Sequence, residues 1–520
     1  MNTKRTIGVC LSLLGLILGA RGETKEKSMT LEECIITALK NNLAVAVEVL
    51  NPELADIAVT RTKERFIPRL SFSYGRDSQN SASYSYIDAA MTVTTASNST
   101  QALLTQLFPT GGELQVLLYS YKTDSNRNFQ TINPRFGSTL QFSFSQPLLR
   151  NFGFLATRRE IIVARNTRDM SEAQLRAALQ NAVYQTEEAY WNLVYSVQDL
   201  AVKKTSLELA QDLLMKTKRE AEVGRVAEIE ILGAEAEAAS RQADILQVEA
   251  AVRNNENILK TLVNLKSEDG QLIKIVPAEK PRVEKKEITY EEAVQTAIAR
   301  RPDLEASRID LKTREVNYSF AKNQLLPDIR VEASYWSPGL SGTQIMYLNN
   351  DPFTGVIIGT VPSGASAALR DALKFKYRNW SVGLTLNLPT DSIFSHALYS
   401  QAKVEMAQAR LRLKNQEQQA LLEIENAVNA IGTDYKRVQA YQAAREMAEK
   451  KLAGEEKKLQ VGMSTNFIVL QYQRDLANAR SAELRALIDY NLSLAKLDRA
   501  LGTGLESKNI RISEVMRQEE

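Results

Sequence analysis

The spacing of apolar residues changes between two periods along the chain. In four segments, apolar residues occupy every second position and alternate with small, polar or charged residues: residues 70–74, 139–145, 329–335 and 380–388. Alternation of period two predicts strands with one apolar and one polar face. A strand between lipid and a wet lumen needs such faces. On alternation alone, however, a sandwich strand with a solvated outer face is the better interpretation.

Long helical patterns follow the second and the fourth of these segments. In the first of them, leucines share one seven-residue register: Leu179, Leu193, Leu200, Leu207 and Leu214. Such a repeat predicts a seam that winds against neighbouring helices. Residues 157–222 contain neither proline nor glycine, so a continuous helix there would reach about 100 Å at roughly 1.5 Å per residue. An ordinary soluble coiled coil would explain the helices, but not the strand segments between them.

The same order of motifs occurs twice, which predicts an internal duplication. The corresponding residues are the capping pairs Thr30 with Glu33 and Thr289 with Glu292, the prolines Pro68 and Pro327 ahead of a strand, Pro147 and Pro389 after one, and the turns Val223-Gly224 and Val461-Gly462. We therefore expect a first structural repeat at residues 29–265, a linker at 266–287, a second repeat at 288–502 and a C-terminal tail at 503–520.

The first twenty residues have the pattern of a secretory signal peptide. Lys4 and Arg5 precede a short apolar run that ends in small residues before Arg21, and this run is shorter than the roughly 20 residues that a membrane-spanning helix needs. We expect cleavage after residue 20, so the mature chain keeps a single cysteine, Cys34. One thiol cannot form an intramolecular disulfide, and its apolar helical surroundings favour a packing role.

Composition and missing motifs argue against several functions. The net charge is only +3, from 65 basic and 62 acidic residues, so no surface for nucleic acid is indicated. His396 is the single histidine, and no Cys, His or Asp cluster has the spacing of a metal site. Phosphate-binding glycine loops are also absent from the sequence. We expect neither catalytic residues nor a cofactor or metal, and therefore a protein that is not an enzyme and that takes its energy from a partner.

With these motifs in place, the sequence resembles the TolC family of outer-membrane efflux proteins from about residue 29 to 502. The resemblance rests on the duplicated capping pairs and prolines, the run SQPLLRNFG at 145–153, the run EAYWNLV at 188–194, both Val-Gly turns and the closing Leu501-Gly502. It implies a mainly α fold with a membrane β-barrel portion. In such a fold, long coiled-coil helices form a periplasmic α-barrel, and a homotrimer shares a twelve-stranded barrel to which each chain gives four strands.

The resemblance also implies a function, a location and partners. The chain would be the exit duct of a tripartite efflux or type I secretion system, set in outer-membrane lipid and extending into the periplasm. Its partners would be a periplasmic adaptor (membrane fusion) protein and an inner-membrane transporter. Two alternatives remain open at this point, namely a periplasmic adaptor and a structural coiled-coil protein of the envelope. The sequence does not name the exported substrate, the class of pump or the gating mechanism.

Two sets of candidate site residues come with the resemblance. The helix reversals would dock the adaptor, through Val223, Gly224, Arg225, Val461, Gly462 and Met463. Members of the family carry acidic rings at the pore entrance, six and nine residues after the second glycine, where this chain has Ile468 and Gln471. The matching position of the first half is Glu230, so one acidic ring is expected there, although a solvated helix face is the plainer interpretation. The first half also carries an extra strand-like run at 112–121 that makes it longer than the second half, and we interpret this run as an extracellular extension.

Overall fold

A computed structural model of the chain describes residues 25–88, 90–265, 273–388 and 393–510. The predicted signal peptide, residues 266–272 of the predicted linker, Pro389 and residues 511–520 of the predicted tail lie outside the described residues. None of the helices in the described residues combines the length and the apolar character needed to cross a membrane.

The chain divides into two compact units. The helical unit comprises the described residues of Met1–Glu53, Met170–Ser307 and Leu413–Glu520, and the sheet unit comprises those of Leu54–Asp169 and Arg308–Arg412. Each unit takes segments from both predicted halves of the chain. The boundaries of the two repeats stay a prediction.

Helices make up most of the described chain. They are α1 (Leu31–Asn41), α2 (Leu43–Lys63), α3 (Phe154–Glu222), α4 (Glu228–Val263), α5 (Tyr290–Arg300), α6 (Pro302–Asn323), α7 (Ala365–Leu373), α8 (Ile393–Gln460) and α9 (Asn466–Leu501). The long uninterrupted helix predicted over 157–222 is confirmed in α3, which has 69 residues. Its counterpart α8 has 68 residues. The helices that follow them, α4 and α9, have 36 residues each.

Both predicted capping boxes are present. At the start of α1, the Glu33 amide donates to Thr30 Oγ1 at 3.2 Å, while the Thr30 amide donates to a Glu33 carboxylate oxygen at 3.0 Å. The pair Thr289 and Glu292 makes the same two bonds at the start of α5. Such caps satisfy amides that a helix start leaves without a partner, and each stabilises its helix by about 1 kcal/mol.

One apolar core of the helical unit lies between the long helices and a small parallel sheet. Strand β1 (Lys25–Met29) pairs with β6 (Ile273–Pro277), which falls inside the predicted linker. Tyr190 of α3 is fully buried, and its hydroxyl donates to the Met29 carbonyl at 3.3 Å. That hydroxyl also accepts the Glu279 amide at 3.2 Å. Part of the linker is therefore an ordered element packed on the long helices.

The sheet unit contains one sheet of seven strands within the described residues. They are β2 (Arg69–Ala82), β3 (Thr92–Leu107), β4 (Glu113–Ser125), β5 (Ile132–Pro147), β7 (Asp328–Tyr347), β8 (Ile357–Val361) and β9 (Asn379–Asn387). The order is β2-β3-β4-β5-β7, and β7 then pairs with β9 along its first half and with the short β8 near its end. Consecutive pairs are antiparallel.

The four predicted strand segments are confirmed in β2, β5, β7 and β9, but the expectation of four strands is wrong. Strands β3 and β4 form a hairpin that lies between β2 and β5. The run at 112–121 is the greater part of β4, which pairs with β5 from Glu113↔Ser145 to Thr123↔Arg135. Its interpretation as an extension is therefore also wrong. Counting only strands of nine or more residues, the described sheet has six.

The turn of the β3–β4 hairpin is anchored on the segment between β5 and α3. Gly111 has φ +95°, and a Cβ atom at this position would lie 2.6 Å from the Asn151 carbonyl oxygen. The Gly153 amide donates to the Thr110 carbonyl at 3.0 Å. This close approach needs a residue without a side chain, so the hairpin is an integral part of the sheet unit.

Candidate functional site

One face of the sheet is polar across six strands. Cross-strand neighbours form a row that runs Arg69, Thr105, Gln115, Ser143, Ser334 and Ser381. The hydroxyls of Ser143 and Ser334 are 3.2 Å apart and hydrogen-bonded. Because successive side chains point to opposite faces, this row belongs to a single surface. We call it the polar face, and its chemistry suits contact with water.

The opposite face of the sheet carries an apolar row directly next to the polar row. The neighbouring row runs Leu70, Leu104, Val116, Phe142, Tyr335 and Trp380. Leu70 and Trp380 are 72% and 73% exposed in the isolated chain. Apolar side chains gain about 25 cal/mol for each Å² removed from water. A continuous exposed row of this kind marks a surface that meets lipid or a partner; we call it the apolar face.

The two outer long strands have open edges. Within the described residues, β2 pairs with β3 alone and β9 pairs with β7 alone. Fourteen residues of β2 and nine of β9 thus each offer one unpaired edge. Unpaired amides and carbonyls along an edge form a template for another strand.

The two predicted helix reversals have the same geometry. Gly224 and Gly462 have φ +73° and +75°. After α3, the Gly224 amide donates to the Ala221 carbonyl at 2.9 Å and the Arg225 amide to the Glu220 carbonyl at 2.8 Å. After α8, Gly462 and Met463 make the same two bonds at 3.0 and 2.8 Å. This is the Schellman motif, in which a residue with positive φ ends a helix and satisfies its last carbonyls.

The side chains at these reversals are exposed. Val223 and Val461 are each 69% exposed, and Met463 is 77% exposed. Behind the second reversal, Glu455 of α8 accepts a hydrogen bond from the Ser464 hydroxyl at 2.7 Å and one from Lys458 Nζ at 3.0 Å. These two donors lower the pKa of the Glu455 carboxyl. These bonds hold the loop against α8, while the apolar side chains Val461 and Met463 at its tip stay exposed.

The predicted entrance residues follow the two reversals in the sequence, at the starts of α4 and α9. Glu230 is half-buried in the first turn of α4. Ile468 is half-buried and Gln471 is exposed, both near the start of α9. The two hairpins contact each other at this level, because the Asn466 amide nitrogen donates to the Thr217 hydroxyl at 3.0 Å in a buried position.

A buried polar network near these residues was not predicted from the sequence. Arg241 of α4 is 4% exposed, and it donates to the Ser206 carbonyl of α3 at 2.6 Å and to the Leu470 carbonyl of α9 at 2.9 Å. Glu237 accepts from both Arg241 and Arg474. Burial lowers the pKa of the Arg241 guanidinium to about 10. This network joins three helices through a charged group whose bonds are directed at backbone carbonyls.

No group of three or more potential metal ligands occurs in the described part of the chain. The candidate site consists of the two sheet faces, the open strand edges and the helix reversals.

Comparison with known proteins agrees with this arrangement. Residues 293–503 match the family model of outer membrane efflux protein. Nodulation protein T of Rhizobium leguminosarum bv. trifolii is 23% identical over 318 residues, which are 61% of this chain. The match spans 62% of that curated relative, which is less than two thirds of its length.

Solved outer-membrane channels have the same fold at low identity. The Campylobacter jejuni CmeC channel has a TM-score of 0.64 and 16% identity, with 93% of this chain and 90% of that chain covered. The open Neisseria gonorrhoeae MtrE channel has a TM-score of 0.62 and 20% identity, with 91% of this chain and 89% of that chain covered. VceC of Vibrio cholerae has a TM-score of 0.61 and 17% identity, with 91% of this chain and 96% of that chain covered. Residues 293–503 thus have the pattern of the outer membrane efflux protein family, and the described chain has the fold of these solved outer-membrane channels.

Proposed function

We propose that this chain forms the outer-membrane exit channel of an export machine, either a tripartite efflux pump or a type I secretion system. The observation that carries the proposal is the sheet with one polar and one apolar face and two open edges. The apolar face suits lipid and the polar face suits a wet lumen. The long helices α3 and α8 suit a periplasmic conduit, as in the family.

The channel is a closed barrel built from several copies of the chain. Open strand edges have unsatisfied backbone groups and are not tolerated in lipid. The six long strands alternate in direction, so β9 of one copy meets β2 of the next in antiparallel order. With three copies, as the family resemblance implies, the barrel has eighteen strands rather than the expected twelve.

A barrel of this size has room for a passage. Barrel diameter grows roughly linearly with strand number, and barrels of about 16–18 strands leave an aqueous channel. Eighteen strands therefore give about one and a half times the diameter of twelve. The polar row from Arg69 to Ser381 lines that lumen.

The exposed helix reversals are the docking tips for a periplasmic adaptor, which links the channel to an inner-membrane transporter. Their exposed apolar residues Val223, Val461 and Met463 offer contact area. Glu230 lies one turn further along, at the pore entrance, with Ile468 and Gln471 from the second hairpin. The chain is arranged as two structural repeats, 29–265 and 288–502, behind a cleaved signal peptide.

The mass of the purified protein in detergent tests this proposal. A particle of three protomers that conducts ions across a planar bilayer is the expected result. A stable monomer that needs no detergent would refute it. Both alternatives predict a protein that stays in solution without detergent, since neither a periplasmic adaptor nor a structural coiled coil needs an apolar sheet face.

A further inference from the structure

A short helix lies on the apolar face of the sheet. Helix α7 packs on β5 and β7, with Ala368 and Ala372 fully buried. A Cβ atom on Gly339 of β7 would lie 2.0 Å from the Ala368 carbonyl oxygen. Gly339 is an even number of residues after Tyr335, so both face the same side of β7. The glycine thus permits α7 to rest directly on the apolar face.

The chain after α7 is held on the same face by an aromatic stack. Phe375 has φ +52°. Its ring stacks on Tyr335 and Phe142 of the apolar row, with centroids 5.5 and 6.3 Å away. Along β7, Gly339 lies beyond Tyr335 in the direction away from α6. Helix α7 therefore begins at the level of Ser341, on the part of the apolar face farther from the helix connections, and the segment after it returns to the row of Tyr335 and Phe142.

Basic side chains cluster at this end. Arg370, Lys374, Lys376 and Arg378 belong to α7 and the segment after it, and all four are exposed. Two exposed cations on strands join them. Arg76, Asn98, Lys122, Phe136 and Ser341 form one cross-strand row, and the Ser341 hydroxyl donates to the Gly364 carbonyl at the start of α7 at 2.8 Å. We call these six cations the basic collar: Arg76, Lys122, Arg370, Lys374, Lys376 and Arg378.

Acidic partners neutralise little of the collar charge. Lys376 pairs with Asp371, with Nζ and Oδ2 2.8 Å apart. Within the described residues, Arg370, Lys374 and Arg378 have no carboxylate within salt-bridge distance. Leu373 and Tyr377, which alternate with these cations, are each 51% exposed. Exposed apolar and cationic side chains at one level are typical of a segment at the membrane interface.

From this arrangement we infer that the basic collar binds the phosphate groups of anionic lipid in the outer leaflet. The inference rests on the proposed function, which places the apolar face in lipid and the helix connections on the periplasmic side. The collar then spans the outer border of the apolar face, from the Tyr335 row to the Ser341 row, where headgroups meet hydrocarbon. Each Lys or Arg near an anionic surface strengthens binding about fivefold. Their long side chains also reach headgroups while their stems stay on apolar surface.

Binding of purified protein to lipid A with two phosphates tests the inference, with native mass spectrometry in detergent as the measurement. The variant Lys374→Gln/Lys376→Gln/Arg378→Gln should bind at least about tenfold more weakly, and the loss should shrink at high salt. The same lipid without phosphates should bind wild type weakly. The matched control Arg410→Gln/Arg412→Gln/Lys414→Gln removes equal charge from exposed positions of α8 and should bind as wild type does.

Several outcomes would overturn the inference. Equal binding by the collar variant and wild type, or equal binding of phosphorylated and phosphate-free lipid, would refute it while the trimer and its conductance stood. Full displacement of lipid by millimolar inorganic phosphate would show an ordinary anion site instead. If the triple variant fails to assemble, Lys374→Gln and Arg378→Gln are measured singly, and each should weaken binding several-fold. A wild-type protein that forms no membrane particle would refute the proposed function itself.

Discussion

The reactivity of Cys34 is determined by its burial. The side chain is fully buried in the apolar core between α1, α3 and α4. Burial, and secondarily the nearby Glu33 and Glu279 carboxylates, raises the pKa of the Cys34 thiol to about 12. Because the thiolate is the reactive form, the folded chain holds this cysteine inert at neutral pH.

Alkylation with iodoacetamide tests that state. At pH 8 the native protein should react at least about a hundredfold more slowly than the unfolded protein, whose thiol has a pKa near 8.5. Mass spectrometry over time measures both rates, with Cys34→Ala as the background control. Rapid modification of the native protein would contradict the buried, protonated state.

Glu230 is the residue on which ion preference at the entrance is expected to depend. Ile468 and Gln471 carry no charge, whereas a ring of carboxylates in a narrow pore focuses the field and favours cations. Glu230→Gln should lower the ratio of cation to anion permeability in planar bilayers, most clearly at low salt. Glu228→Gln removes an exposed charge from the same turn and should leave that ratio unchanged. Unchanged selectivity in Glu230→Gln would place the side chain outside the pore.

At the scale of elements, substitutions that differ in their tolerance of positive φ can test the role of the two Schellman reversals. A Cβ atom at Gly224 or Gly462 would meet no atom within 4 Å, so positive φ alone excludes most residues. The double variant Gly224→Val/Gly462→Val costs about 1–2 kcal/mol at each tip and should abolish export in cells while the trimer still forms. Asn tolerates this conformation, so Gly224→Asn/Gly462→Asn should retain export. Normal export in the valine variant would refute the docking assignment.

The elements that the sequence predicted are those with a strong period. Alternation in β5 and β9 and the leucine register of α3 come from burial on one face, which the sequence records directly. Strand β3 was missed because its sequence, TVTTASNSTQALLTQL, carries Ser and Thr on both faces along most of its length. Without β3, the run at 112–121 was one additional strand with no partner. Because a single extra membrane crossing is not possible, that run was interpreted as an extension.

Burial that depends on distant elements was not predictable. Glu237 and Arg241 are four residues apart on α4 and have the pattern of an exposed ion pair. Their burial arises because α3 and α9 approach from the sides, with Ser206 and Leu470 as partners. Likewise, Gly339 and Phe375 are ordinary residues in the sequence, and only the packing of α7 gives them a role.

At the scale of the whole molecule, the β3–β4 hairpin would set the width of the proposed barrel. Leu70 and Phe142 lie in one cross-strand row, so removal of residues 89–128 would bring β2 beside β5 with both faces preserved. Each chain would then give four strands, and the barrel diameter would fall to about two thirds. Poly(ethylene glycol) of graded size, added on the strand side of a planar bilayer, measures the lumen through its effect on conductance.

The deletion variant should exclude polymers that enter the wild-type lumen. It should still form a trimer, lighter only by the residues deleted from each chain, and should keep the helices of the full-length protein, which serves as the control in the same bilayers. An identical size limit in both proteins would show that the hairpin lies outside the barrel wall.

In the proposed channel, the open edges of β2 and β9 also determine how assembly proceeds. A lone chain in hydrocarbon would leave both edges unsatisfied, and each unsatisfied group costs several kcal/mol. Insertion and assembly are therefore a single event that waits for neighbouring copies. The rate at which channels appear then rises more steeply than the supply of chains. A cell that halves synthesis of this protein loses far more than half of its rate of channel formation, which makes the number of ducts a sharp function of expression.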